Sequence, residues 1–101
     1  MHSNDGISSE VKRKIIGLLE LLFPKVKIYL YGSRARGKFR NTSDIDLAID
    51  CGAVCDRLKL SEARSMFEAS NIWLKIDLVD LHSISPDFKQ IIMTEGKLWN
   101  Q

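Results

Sequence analysis

The sequence predicts an α/β (α+β) domain in which a small mixed sheet of three to four strands packs against helices. Three observations predict it. Segments with helical periodicity alternate with short segments rich in β-branched and aromatic residues, in the order α-β-loop-β-α-β-α. The chain has 101 residues, of which 45% are hydrophobic and 28% charged, a balance that suits one modest core spanning residues 1–101. No internal repeat, linker or low-complexity tract interrupts it.

Residues 1–7 read as a loose start. From Ser8 the chain is helical: Val11, Ile15, Leu18 and Leu22 form a stripe that Ile16, Leu19 and Phe23 widen. Ser8 or Ser9 serves as N-cap, with Glu10 near the positive end. Pro24 stops the helix, because it lacks an N–H and pushes residue 23 away from helical backbone. Residues 26–31 form the first strand, ended by Gly32. Residues 32–43 are a polar, basic loop. Residues 44–50 form a second strand with Asp44, Asp46, Ala48 and Asp50 on one face and Ile45, Leu47 and Ile49 on the other. Residues 56–69 are helical, with Leu58, Ala63, Met66 and Phe67 as the buried stripe and Ser61 as the cap of a shorter version. Trp73 to Leu81 is the third strand. Ser85-Pro86-Asp87 starts a last helix through its N-cap Ser and N1 Pro. Phe88, Ile91 and Ile92 face inward, Gly96 ends the helix at C′, and Leu98-Trp99 adds a short edge strand.

Fifteen Lys and Arg against thirteen Asp and Glu leave a net charge of +2, too mild for a nucleic-acid coat and an argument against direct nucleic-acid binding. No apolar run reaches the ~18 residues of a membrane span, and MHSNDG is not a signal peptide. Cys51 and Cys55 stand without the further ligands of a structural zinc site, so two reduced thiols in a cytoplasmic protein are expected.

The informative stretch is Tyr31-Gly32-Ser33-Arg34-Ala35-Arg36-Gly37-Lys38-Phe39, where a strand runs into a Gly-led basic turn whose backbone N–H groups suit a phosphate. Gly32-x4-Gly37-Lys38 nearly spells a P-loop. However, Phe39 stands where a Ser or Thr must hold Mg²⁺, and a strand follows where a long helix is required. The loop instead belongs with Asp44 and Asp46. Side chains at i and i+2 leave the same strand face with Cα atoms roughly 6.8 Å apart. Two carboxylates that close repel unless a hard cation such as Mg²⁺ or Mn²⁺ joins them, and a pair of ions suits a third carboxylate nearby. Asp77, between Ile76 and Leu78, is that third candidate. Asp80 has the opposite parity on its strand, and Asp50 lies about 13 Å beyond Asp46.

Together, Gly32-Ser33-x10-Asp44-x-Asp46 resembles the signature of the DNA polymerase β-like nucleotidyltransferase superfamily. The flanking LYGSRARGKFRNTSDIDLAID and KIDLVDL resemble its minimal nucleotidyltransferase (MNT) branch. The resemblance implies the nucleotidyltransferase fold. It implies that Gly32, Ser33 and Arg36 bind nucleotide phosphates. It also implies that Asp44, Asp46 and Asp77 are the catalytic carboxylates and hold two Mg²⁺ or Mn²⁺ ions. Arg34 and Lys38 themselves read as solvated charges. ATP is the implied co-substrate and AMP the group transferred to an acceptor hydroxyl. Proteins of this branch are commonly antitoxins paired with a small helical HEPN toxin, which implies a toxin tyrosine as acceptor. The alternatives are a non-catalytic antitoxin and a nucleotide-binding module acting by complex formation. Phe88, Leu98, Trp99 and Trp73 are the candidates for an apolar partner surface.

Overall fold

A computed structural model describes residues 5–100; residues 1–4, part of the expected loose start, lie outside the described residues. Helix α1 spans Ser9–Leu22, with the Ser8 side chain accepting from Val11 N–H. Pro24 and Lys25 turn the chain into strand β1, Lys27–Tyr31. The supposed loop then holds a single helical turn, α2, Ser33–Arg36. It is too short to show a period, and glycines flank it. Strand β2 runs Ile45–Asp50, helix α3 Arg57–Ala69 and strand β3 Ile76–Asp80. Helix α4, Pro86–Glu95, starts at the Ser85 cap as expected, and β4 is Lys97–Leu98.

The sheet order is β3-β2-β1-β4. β1 pairs antiparallel with β2 and with β4, whereas β2 and β3 are parallel, because α3 carries the chain back to the starting end. One face buries Ile28, Leu30, Ile45, Leu47, Ile49 and Leu78 against Ile15 and Leu19 of α1 and Ala63 and Phe67 of α3. The other face, which carries the acidic residues, packs Tyr31, Ala48 and Leu81 against Ile92, with Phe88 beside them. The two faces are therefore not apolar and solvated: both are covered, and the small Ala48 admits α4.

Several expectations are corrected. In α3, Asp56 is the cap, bonding the N–H groups of Leu58 and Lys59. Leu58 is 84% exposed and Met66 lies at the surface, because only the Ala63/Phe67 edge meets the sheet. Strand β3 begins three residues later than Trp73, where Ile76 first pairs with Ile45. Ile91 is exposed. Gly96 has extended rather than left-handed backbone; a side chain there would strike the carbonyl of Ile92 and crowd that of Leu30. No joint apolar patch forms either: Trp99 is buried, while the exposed Trp73 and Leu98 sit by opposite edges of the sheet.

Candidate functional site

The site is built where β1 ends and β2 begins. The register pairs Tyr31 with Asp46 and Asp46 with Asp77. These three residues thus form one row across β1, β2 and β3, on the face that bears Ala48. Asp44 lies two residues before Asp46, just ahead of β2, and is exposed like Asp77; Asp46 is half-buried. Parity and parallel pairing thus bring Asp44, Asp46 and Asp77 to one end of the sheet. Asp50 and Asp80 go elsewhere. Asp50 accepts from Gly52 N–H and meets His82 Nε2 at 2.6 Å. Asp80 is buried, accepting from the N–H groups of Cys55 and His82 and from the Ser83 hydroxyl. Burial pushes both carboxyls up, but these hydrogen bonds outweigh it and hold both below the ordinary Asp value.

Asp46 behaves in the opposite way. Burial, then the negative charges of Asp77 and Asp44, raise its pKa to about 6, against weaker pulls from Arg36 and Arg34. Tyr31 is pushed up to about 12 by burial and by Asp46 and Asp77. The two arginines do not offset burial and the crowding of the carboxylates. An oxygen-ligated divalent cation would relieve that crowding, so the donor chemistry fits Mg²⁺ or Mn²⁺. Among the described residues, no three His, Cys, Asp or Glu side chains are gathered as a metal cluster. Carboxylates alone do not complete a coordination shell here, and Mg²⁺ commonly takes its other ligands from water and substrate phosphates.

The Gly32-Ser33 turn lies directly against this row. Gly32 has φ +76°, and a Cβ there would collide with Asp46 Oδ2. Glycine is required on both counts, the backbone angle and the close approach. Arg36 is exposed and pairs with Glu95 at 3.1 Å. Arg34, expected to be solvated, is 1% exposed. Its guanidinium lies over the Phe39 ring and donates to the carbonyls of Ser43, Asn41 and Asp5. It thereby fastens the segment that delivers Asp44. Sequence reasoning missed this role because a buried Arg and a solvated Arg look alike until the loop is closed around them. It also missed Tyr31, whose place beside Asp46 follows from antiparallel pairing, and Glu95, which comes from the far end of the chain.

The Cys51 and Cys55 thiols are free and lie 2.7 Å apart. Burial pushes both pKa values up, so they are poor nucleophiles. No helix among the described residues is long and apolar enough to cross a membrane.

A mixed sheet that sets a Gly-Ser turn against a row of carboxylates defines a nucleotidyltransferase. The family described as polymerase beta, nucleotidyltransferase matches residues 13–99, and the chain belongs to it. The chain is 39% identical over 90 residues to the protein adenylyltransferase MntA of Shewanella oneidensis, covering 87% of this chain and 64% of that protein. It therefore spans just under two thirds of that relative's length. Among solved structures, a toxin–antitoxin complex with AMP-PNP superposes with a TM-score of 0.74 at 37% identity, covering 87% of this chain and 71% of that one. A complex of tri-AMPylated Shewanella oneidensis HEPN toxin with MNT antitoxin gives 0.67 at 35%, covering 87% and 67%.

Proposed function

We propose that this protein transfers AMP from ATP to a tyrosine hydroxyl of a small helical HEPN-type partner, and so acts as an antitoxin. The observation that carries the reading is the contact between Gly32 and Asp46. It joins a turn suited to phosphate and a crowded carboxylate row in one site. The AMPylated toxin in the similar complex supports the choice of acceptor, and the AMP-PNP complex supports ATP as donor.

In this reading the Gly32-Ser33 turn and Arg36 bind the phosphates, by backbone N–H groups and a guanidinium. Asp44, Asp46 and Asp77 would hold two Mg²⁺ or Mn²⁺ ions. Bound there, such ions supply charge neutralisation for the triphosphate and acidify the acceptor hydroxyl. Asp77, exposed on the edge strand β3, is open to an acceptor and can take its proton. Attack by the tyrosine oxygen forms an O–P bond at the α-phosphorus, the bond to the bridging oxygen breaks, and pyrophosphate leaves. Tyr31, at the β1 end of the row, packs edge to face with Phe88 at 5.7 Å between ring centres.

The test is co-expression with the neighbouring gene product followed by intact-mass analysis. One or more AMP additions on a tyrosine of the partner, absent with Asp46→Asn, are expected. An unmodified partner alongside AMP transfer to RNA or a small molecule would overturn the choice of acceptor.

A further inference from the structure

The phosphate-binding turn is already engaged by an anion of the protein itself. Glu95 Oε1 accepts from Gly32 N–H at 3.3 Å and from Arg36 Nη1 at 3.1 Å. A single carboxylate oxygen thus sits where a backbone donor and a guanidinium converge, and those are donors assigned above to the nucleotide. The placement follows from the sheet. β4 pairs Lys97 with Leu30, and because α4 ends only two residues earlier, at Glu95, its last side chain is delivered beside the end of β1. Gly96 makes this possible, because the chain passes so close to the Ile92 carbonyl that a side chain there would collide with it.

The location is otherwise a poor one for an acid. Glu95 is the last residue of α4, where the helix macrodipole disfavours negative charge, and Asp46 lies against the same Gly32. Its carboxylate is three-quarters buried while Arg36 is half exposed, so the contact is made chiefly by Glu95 reaching in. We infer that Glu95 is an internal phosphate surrogate, a positioning residue that holds Gly32 N–H and Arg36 in the nucleotide-free protein and yields them to a phosphate oxygen of the incoming triphosphate. Both anions compete for the same donors, and the like charges repel. Glu95 is at the helix end with three side-chain torsions, so it can leave without a backbone shift. The inference rests on the proposed binding of phosphate by this turn.

The consequence is a weakened but ordered site: the donors stay pre-arranged, and each triphosphate bound or pyrophosphate released exchanges with an internal competitor. The experiment is calorimetric titration of α,β-methylene-ATP with Mg²⁺ into wild type, Glu95→Gln, Glu95→Ala, Arg36→Ala and the Glu95→Gln/Arg36→Ala pair, each first checked for folding by thermal denaturation. Both Glu95 variants should bind the analogue about three- to tenfold more tightly, the scale of losing one partly screened ion pair and one like charge. The gain should shrink when Arg36 is absent. In nitrogen-15 spectra, the Gly32 amide of Glu95→Gln should move without nucleotide, and saturating wild type with analogue should change the Arg36 side-chain signal. Equal or weaker binding by both folded Glu95 variants overturns the surrogate role while leaving the nucleotide site standing. Failure of wild type to bind, or no loss of binding in Gly32→Val, overturns the phosphate-binding reading itself and the surrogate with it.

Discussion

Replacing Arg34 by lysine tests whether this buried guanidinium is structural. Arg34 makes four hydrogen bonds of 3.1 Å or less, two to Ser43 O and one each to Asn41 O and Asp5 O. An ammonium keeps the charge but radiates from one point, so it cannot serve Asp5 on one side and Asn41 and Ser43 on the other. About two charge-assisted bonds are lost, at roughly 1.5–3 kcal/mol each. The carbonyls are only part-buried, and water recovers some of that, leaving a net cost of about 2–4 kcal/mol. Against a total stability of roughly 5–10 kcal/mol for a domain of this size, Arg34→Lys folds but is clearly weakened. With a urea slope near 2 kcal/mol/M, the midpoint should fall by about 1–2 M. The assay is urea unfolding followed by tryptophan fluorescence, since Trp99 is buried and becomes exposed. The exposed Arg36→Lys is the control and should change stability by no more than about 0.5 kcal/mol. An Arg34→Lys midpoint equal to wild type would refute the clamp.

Asp44→Asn, Asp46→Asn and Asp77→Asn should each abolish AMP transfer in an incorporation assay while leaving the fold intact, whereas Asp50→Asn, spent on Gly52 and His82, should leave transfer near wild type. Asp46 also carries a pH signature. Its folded pKa is raised to about 6, so between the unfolded value near 4 and pH 6 the folded state holds the extra proton. Stability therefore falls as pH rises through that window, and Asp46→Asn should gain on the order of 1 kcal/mol at pH 7 after screening by solvent. Nucleotide binding should weaken below pH 6 as Asp46 neutralises. Asp50 and Asp80 act in the opposite sense: their lowered values stabilise above about pH 4, and that stability is lost on further acidification, which pH-dependent melting would reveal. Gly32→Val should reduce ATP binding far more than Lys38→Ala in parallel titrations, because a side chain at φ +76° collides with Asp46 whereas Lys38 is a solvated charge.

How much of this was legible depends on whether a feature is local. The caps at Ser8 and Ser85 are satisfied within three residues of chain, and both were readable from sequence. So was the pairing of Asp46 with Asp77 on neighbouring strands, since parity on two strands is enough once those strands lie side by side. The short turn α2 was hidden because four residues cannot display a helical period. Leu58 and Met66 were misplaced because a helix lying across one sheet edge buries a narrower stripe than its apolar residues suggest. Trp73 looked like a strand residue, but pairing starts only where Ile45 offers a partner. Arg34 and Glu95 depend on closures across nine and 63 residues respectively, and no composition or period encodes those.

The proposed reaction is nucleotidyl transfer at the α-phosphorus. Its most direct measurement is a pair of reactions with the co-purified partner and Mg²⁺, one using ATP labelled at the α-phosphate and one using ATP labelled at the γ-phosphate. The α-label should become covalently attached to the partner protein, the γ-label should be recovered only as pyrophosphate, and both outcomes should vanish in EDTA or with Asp46→Asn. Label from the γ-phosphate on the partner, or undiminished transfer by Asp46→Asn, would contradict it.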